Sequence, residues 1–236
     1  MRDANSIQWK RLSVEATAIV ASILLAFAID ALWDERELRE QEIAQLYALQ
    51  ADFTENIKRL QGVIDRQEVV VASQTRLLGI IHGHQDMPDE EVLKKLVTDS
   101  FMFFRLEEVL GAYQALVSSG DLRLIRDRSL RAAIAEFAGT LGDGYEDEKL
   151  GLQLRVRLIS EMSSSTEFLA VLEPSFRADG SLPDSAYDPD FKALLDNRAY
   201  RNHLTLLTYI ESGQLDFYRG LLVSAKSIVG IVEQNL

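Results

Sequence analysis

The sharpest candidates for chemistry are His82 and His84, with Asp86, Asp89 and Glu90 close behind them. Imidazole and carboxylate groups gathered this closely are the donor types a divalent metal takes. The spacing argues against a built site. His-x-His beside a glycine reads as a turn, without the i, i+4 spacing that puts two histidines on one helix face, and no third ligand is anchored elsewhere. His82, His84 and Asp86 are therefore an incomplete metal set, and a solvated helix break is the simpler reading. His203 falls in the last helix and reads as a satisfied surface or core residue. Ser163 to Ser165 lie in no Gly-x-Ser-x-Gly turn, and Gly142-Asp143-Gly144 is too short for a phosphate loop. The carboxylate pairs Glu107-Glu108 and Glu146 to Glu148 read as solvated helix faces. Arg123, Arg126, Arg128 and Arg131 form the one concentrated positive group, suited to an anionic headgroup or partner, or to pairing with Asp121 and Asp127. Nothing nominates a catalytic residue or a cofactor, and the expectation is a protein that is not an enzyme.

The elements that would carry these groups are bounded by composition. The chain has 236 residues, a formal charge of -12 and no cysteine. Disulfides and thiolate chemistry are excluded. A general nucleic-acid binder needs a basic surface, so nucleic acid is not expected as a partner. With 47% hydrophobic residues and only 4 prolines, the chain reads as globular and mostly helical.

The most informative stretch is residues 13–33. Its uninterrupted apolar part, Ala16 to Ile29, spans only about 21 Å as a helix, less than a hydrocarbon core of roughly 30 Å. Extending it through Glu15 and Asp30 to Trp33 reaches the required length. Both acids then lie near the ends, where charge is least costly, and Trp9 and Trp33 flank the segment as interfacial anchors do. Two other readings compete. One is a cleaved signal peptide with Ala26-Phe27-Ala28 as its processing site. The other is a buried helix of a soluble core. Glu15 at the start of the apolar run, and helical character continuing past Ala28, favour a retained span.

Arg2, Lys10 and Arg11 before the segment outnumber Arg36 and Arg39 just after it, which places the N-terminus in the cytoplasm. The expected organisation is a cytoplasmic tail over 1–12, a transmembrane helix over 13–33 and an extracytoplasmic helical domain over 34–236. In a Gram-negative bacterium that domain is periplasmic. On a helical wheel Glu15, Ala18, Ser22, Ala26, Ile29, Asp30 and Trp33 share an arc of roughly 120°. Ala18, Ser22 and Ala26 make a small-xxx-small stripe that lets two helices approach closely. Glu15 and Asp30 are the intramembrane polar residues of this reading.

Beyond the span, Ile43, Leu46, Phe53, Ile57, Leu60, Ile64, Val71 and Leu78 recur at spacings of three and four, with Gln50, Gln67 and Gln74 as polar members. The pattern predicts one helix continuous with the membrane segment, rising roughly 70 Å and packing against later helices of the same chain. It should stop at His82-Gly83-His84. A second helix starts at Pro88 and Asp89. Phe101 to Phe104 read as core aromatics. Leu106 to Val117 reads as a helix closed by Gly120, and Asp127 caps the next, which Gly142 and Gly144 interrupt. Residues 173–189, with three of the four prolines, read as a surface loop. Phe191 to Leu195 is a short helix, and Asn197 opens a last long one with Leu204, Leu207, Leu221, Ala225, Ile228 and Val232 on one side. The fold class is all-α.

Two stretches, residues 15–36 (EATAIVASILLAFAIDALWDER) and 113–137 (YQALVSSGDLRLIRDRSLRAAIAEF), resemble the DUF6090-like family of uncharacterised bacterial membrane proteins. In that family an acid precedes an apolar stretch ending in a polar-Trp-acid element, here Asp30 to Glu35. A Ser-Gly-x-Leu-x-x-Ile turn, here Ser119 to Ile125, later opens another helix. Family members often carry Asn before the Trp, where this chain has Asp30-Ala31-Leu32. The resemblance implies a retained anchor and supplies no activity, cofactor or catalytic residue. Together these readings lead to a membrane-anchored interaction or scaffold protein of the bacterial inner membrane. Its partners would be the lipid bilayer and either a second copy or another membrane protein. An oligomeric pore or transport-complex subunit, and a ligand-sensing accessory bundle, are the alternatives.

Overall fold

The structure, a computed structural model, describes residues 4–172, 183 and 185–236. Its regular elements are all helical. α1 spans Ala4–Ile81, 78 residues without a break. α2 is Glu90–Ser100 and α3 Gly111–Ser119, followed by a single 3-10 turn at Asp121–Leu124. α4 is Arg128–Ser165, α5 Phe168–Val171, α6 Phe191–Asp196 and α7 Arg198–Asn235. The loop expected at 173–189 lies mostly outside the described residues.

Three long helices carry the body. α7 runs antiparallel to α1: Gln67 meets Glu211 near the middle, Arg219 meets Glu68, and Arg39 meets the end of α7 at Asn235. α4 packs along α7. Of the expected α1 seam, Leu46, Phe53, Leu60 and Ile64 are buried by this packing within the chain, with Phe137 of α4 edge-on to Phe53 at 5.1 Å. Ile43, Ile57, Val71 and Leu78 are only partly buried, and Leu49, Val63, Val70 and Leu77 complete the buried line. On α7, Leu204, Leu207, Leu221, Ala225, Ile228 and Val232 are all buried, as their spacing requires.

Local signals set most boundaries. α1 ends where Gly83 takes φ +71, a conformation open to glycine at little cost. Asp89, Asp127 and Asn197 cap α2, α4 and α7 by accepting from backbone N–H groups of the first turn. Gly120, at φ 78, closes α3.

Two helix boundaries depart from expectation, each for a tertiary reason. The helix expected from Leu106 begins only at Gly111. Residues 102–110 run as non-helical chain across α1, because side chains of α1 take up their backbone groups. Asn56 donates to the Val109 carbonyl and accepts from its N–H, both at 2.7 Å. Arg59 donates to the Glu107 carbonyl at 2.8 Å, and Asp52 accepts from Ala112 N at 2.7 Å. Buried backbone groups satisfied in this way need no helix. Second, α4 passes through Gly142 and Gly144 uninterrupted. Gly144 lies under the Phe217 ring, where a Cβ would collide, so that glycine serves helix packing rather than helix termination.

The core is divided. An apolar cluster on the side of the exposed N-terminal stretch holds Leu46, Phe53, Ile64, Phe137, Leu141 and Leu215. A distal one holds Leu77, Leu154, Leu158, Leu204 and Leu207. Between them lies a polar layer to which each long helix contributes one residue: Gln67, Arg155 and Glu211.

Candidate functional site: the apolar helix and its junction with the bundle

Residues 11–38 of α1 are exposed throughout. This is the one helix among the described residues long and apolar enough to cross a membrane, and none of its most apolar window, of mean hydropathy 2.2, is buried by the rest of the chain. Its exposed Ile19, Leu24, Leu25 and Phe27 have no partner in the fold to cover them. Trp9 and Trp33 are 24 residues apart, about 36 Å of helix, which brackets a hydrocarbon core of roughly 30 Å.

The hydroxyls within the stretch are satisfied by the helix itself. Ser22 donates to the Ala18 carbonyl and Thr17 to the Ser13 carbonyl, both at 2.8 Å. Glu15 meets Arg11 at 3.3 Å along the helix surface. Asp30 is exposed one turn before Trp33 and Asp34. Ala18, Ser22 and Ala26 are exposed on one stripe, uncovered by this chain.

Immediately beyond this stretch a polar collar ties α1 to the start of α4 and the end of α7. At its centre is Glu42, 1% exposed. It accepts from Arg39 NH1 at 2.8 Å and from the backbone N–H of Arg126 at 2.6 Å, and the Arg126 guanidinium meets it at 3.2 Å. Arg126 also reaches Glu35 at 2.6 Å. Arg39 donates through NH2 to the Asn235 carbonyl at 2.7 Å, and Asn235 donates to Asp127 at 3.0 Å. The Ser129 hydroxyl donates to Asp127 and is the largest influence on its carboxyl. With the Leu130 N–H and Asn235 it holds Asp127 down to about 2.

The arginine group is thus split. Arg126 pairs with acids of α1, not with the neighbouring Asp121 or Asp127, because the chain turns there against α1. Arg131 donates to the carbonyls of Ile125 and Arg126, which fixes the same turn. Arg123 and Arg128 are exposed.

The other sequence candidates are not brought together. His82 and His84 sit exposed on the turn after α1 with ring centroids 6.5 Å apart. Among the described residues no group of three or more His, Asp or Glu side chains converges for a metal, so Asp86 does not complete their set. His203 is half-buried on α7. Of the aromatic run, Phe101 is core and packs on Phe168 at 5.7 Å, whereas Phe103 is exposed and Phe104 lies under Arg66. Phe104 is partly buried and packs against the apolar core, so the departure from the expected aromatic core is Phe103, which the non-helical 102–110 segment turns outward.

Sequence reasoning missed the buried ionic layer. Arg155 and Glu211 are each about 5% exposed and paired, with Gln67 donating to the same carboxylate. Burial pushes the Glu211 carboxyl up and the Arg155 guanidinium down, with their mutual attraction opposing both shifts. A signal existed: Glu211 occupies the core-facing period of α7 between Leu207 and Leu215, where an acid needs a partner. Nearby, Tyr218 donates to Glu148 at 3.0 Å, and burial raises both groups.

No family model matches the chain, and neither a curated protein nor a solved structure matches it.

Proposed function

We propose that the chain is a single-pass scaffold of a bacterial inner membrane: residues 13–33 cross the bilayer, and the bundle stands outside the cytoplasm and presents its surface to partners. The observation that carries this reading is the contrast along α1. Residues 11–38 are uncovered and, from Ala16 to Ile29, uninterruptedly apolar, while the same helix, from Glu42 onward, is the spine of a packed core. A soluble fold would leave about four helical turns of unbroken apolar surface in water, and lipid is the medium that removes it. Arg2, Lys10 and Arg11 favour a cytoplasmic N-terminus. The resemblance to the DUF6090-like family favours a retained anchor. The Ala18, Ser22 and Ala26 stripe supports self-association, since small residues let two such helices approach.

The absence of cysteine makes the topology directly testable. A single cysteine at Ser164, exposed on α4, should react with a membrane-impermeant maleimide in intact spheroplasts. Labelling only after lysis would reverse the orientation. Recovery of the chain in the aqueous fraction without detergent would end the anchor reading altogether. For the scaffold role, replacing Ala18, Ser22 and Ala26 together by leucine should reduce cross-linked dimer in native membranes, and an unchanged dimer would remove self-association from the proposal.

A further inference from the structure

Where residues 102–110 cross α1 they leave an open groove of about 650 Å³, well inside the size range of small-molecule sites. Its walls are Lys58, Arg59 and Arg66 from α1 and Phe103, Phe104 and Arg105 from the crossing strand of chain. Four cationic side chains around one hollow stand out in a chain of formal charge -12.

Their bonding sorts them. Arg59 is occupied: it pairs with Glu55 at 2.8 Å and donates to the Glu107 carbonyl. Arg66 donates through Nε to the Gly62 carbonyl at 3.0 Å and lies 4.9 Å from the Phe104 ring centroid, so its guanidinium is held flat on an aromatic face. Among the described residues, Lys58, Arg66 and Arg105 enter no salt bridge. The acids nearby are Glu107 on the rim, Glu55, which pairs with Arg59 and also lies within electrostatic range of Lys58, and Glu148, which lies within range of both Arg105 and Glu108. Beneath Phe103, 4.7 Å from its centroid, lies Arg155, whose Nε and NH1 are buried without a hydrogen-bond partner. It is paired with Glu211, so it adds unused donors behind the groove rather than net charge. Gly62 sits between Lys58 and Arg66, and a Cβ there would meet nothing, so the hollow owes part of its volume to that missing side chain.

We infer that this groove binds a small organic polyanion, carrying phosphate or carboxylate groups for Lys58, Arg66 and Arg105 and a flat or apolar part that rests on Phe103 and Phe104. Guanidinium groups match phosphate and carboxylate oxygens in geometry as well as charge. A lipid headgroup of the chain's own membrane offers the same chemistry but lies out of reach, since Lys58 stands 25 residues beyond Trp33, about 38 Å along α1. This inference does not need the scaffold reading.

The test is binding of inorganic pyrophosphate, citrate and ATP to the full chain in phosphatidylcholine nanodiscs, by calorimetry. At least one probe should bind more tightly than ~1 mM. The double variant Lys58→Ala/Arg105→Ala should weaken it by about tenfold or more. Gly62→Leu, which fills the hollow without touching a charge, should do the same while leaving the thermal midpoint unchanged or higher. Arg123→Ala, removing an exposed cation elsewhere, should bind as the parent chain does. Pyrophosphate against citrate separates phosphate from carboxylate preference, and tighter ATP binding shows that the rings are used. Failure of all three probes to bind, or parent-like affinity in either groove variant, overturns the inference. So does loss of probe binding when phosphatidylglycerol replaces the neutral lipid, which would assign the groove to headgroups.

Discussion

Arg155 of α4 and Glu211 of α7 are paired in the one polar layer that separates the two apolar clusters, with Gln67 of α1 donating to the same carboxylate. Breaking such a pair strands the remaining charge in a poorly solvated place. Glu211→Ala should lose about 3–5 kcal/mol of bundle stability, whereas Arg155→Met with Glu211→Leu together should cost only about 1–3 kcal/mol, for the Gln67 amide left without its acceptor. Denaturant unfolding of the three proteins in the same micelle checks both. If the double variant also lost a unique set of amide resonances, the layer would be setting helix register as well as contributing energy.

The clamp of Asn56 on Val109 is what keeps residues 102–110 laid across α1. Asn56→Ala removes two hydrogen bonds and leaves the Val109 N–H and carbonyl wanting partners, at a cost of about 2–3 kcal/mol. Hydrogen exchange should quicken at Val109 and its neighbours while the centre of α7 stays protected. Uniform loss of protection would contradict a local clamp.

Acid should loosen the collar in a defined window. The Asp127 carboxyl is depressed from its ordinary value near 3.8 to about 2 by the hydroxyl, backbone and amide donors around it. The folded form therefore favours the ionised group. That stabilisation is fully present above the unfolded value near 3.8 and is lost as pH falls through about 2. Asp127→Asn should flatten this part of the acid-unfolding curve, and an NMR titration should place the Asp127 carboxyl below ordinary aspartates.

Two neighbouring glycines should respond in opposite directions. Gly142 has open space where a Cβ would go, so Gly142→Ala in the middle of α4 should stabilise by about 0.5–1 kcal/mol. Gly144 lies against Phe217, so Gly144→Leu should destabilise by about 1–3 kcal/mol through overpacking. Thermal midpoints of the two variants, measured side by side, decide it.

What the sequence made legible is what periodicity and local chemistry control. Half of the α1 seam, the buried face of α7, the stop at Gly83 and the caps at Asp89, Asp127 and Asn197 all depend on residues within a few positions of one another. What it hid depends on a distant helix. Residues 106–110 carry helix-compatible side chains, and nothing local announces that Asn56 and Arg59 will take their backbone groups. Gly142 and Gly144 look alike until Phe217 is placed over one of them. Arg126 has acids on both sides in the chain, yet its partners Glu35 and Glu42 lie more than eighty residues away. The groove was hidden for the same reason: Lys58 and Arg66 become neighbours of Arg105 only after that strand crosses α1.

From Ala4 to Gln61, α1 contains neither glycine nor proline, and its hydrogen-bond ladder passes through the collar without a joint. A rod of this kind has no elbow where the exposed stretch meets the bundle. With residues 13–33 in the bilayer, as proposed, any lean or rotation imposed on the embedded end would be carried rigidly into the body above it. A lean of ten degrees would sweep a point 38 Å up the shaft sideways by about 7 Å, so on the proposed placement pressure from surrounding lipid would be felt far from where it is applied.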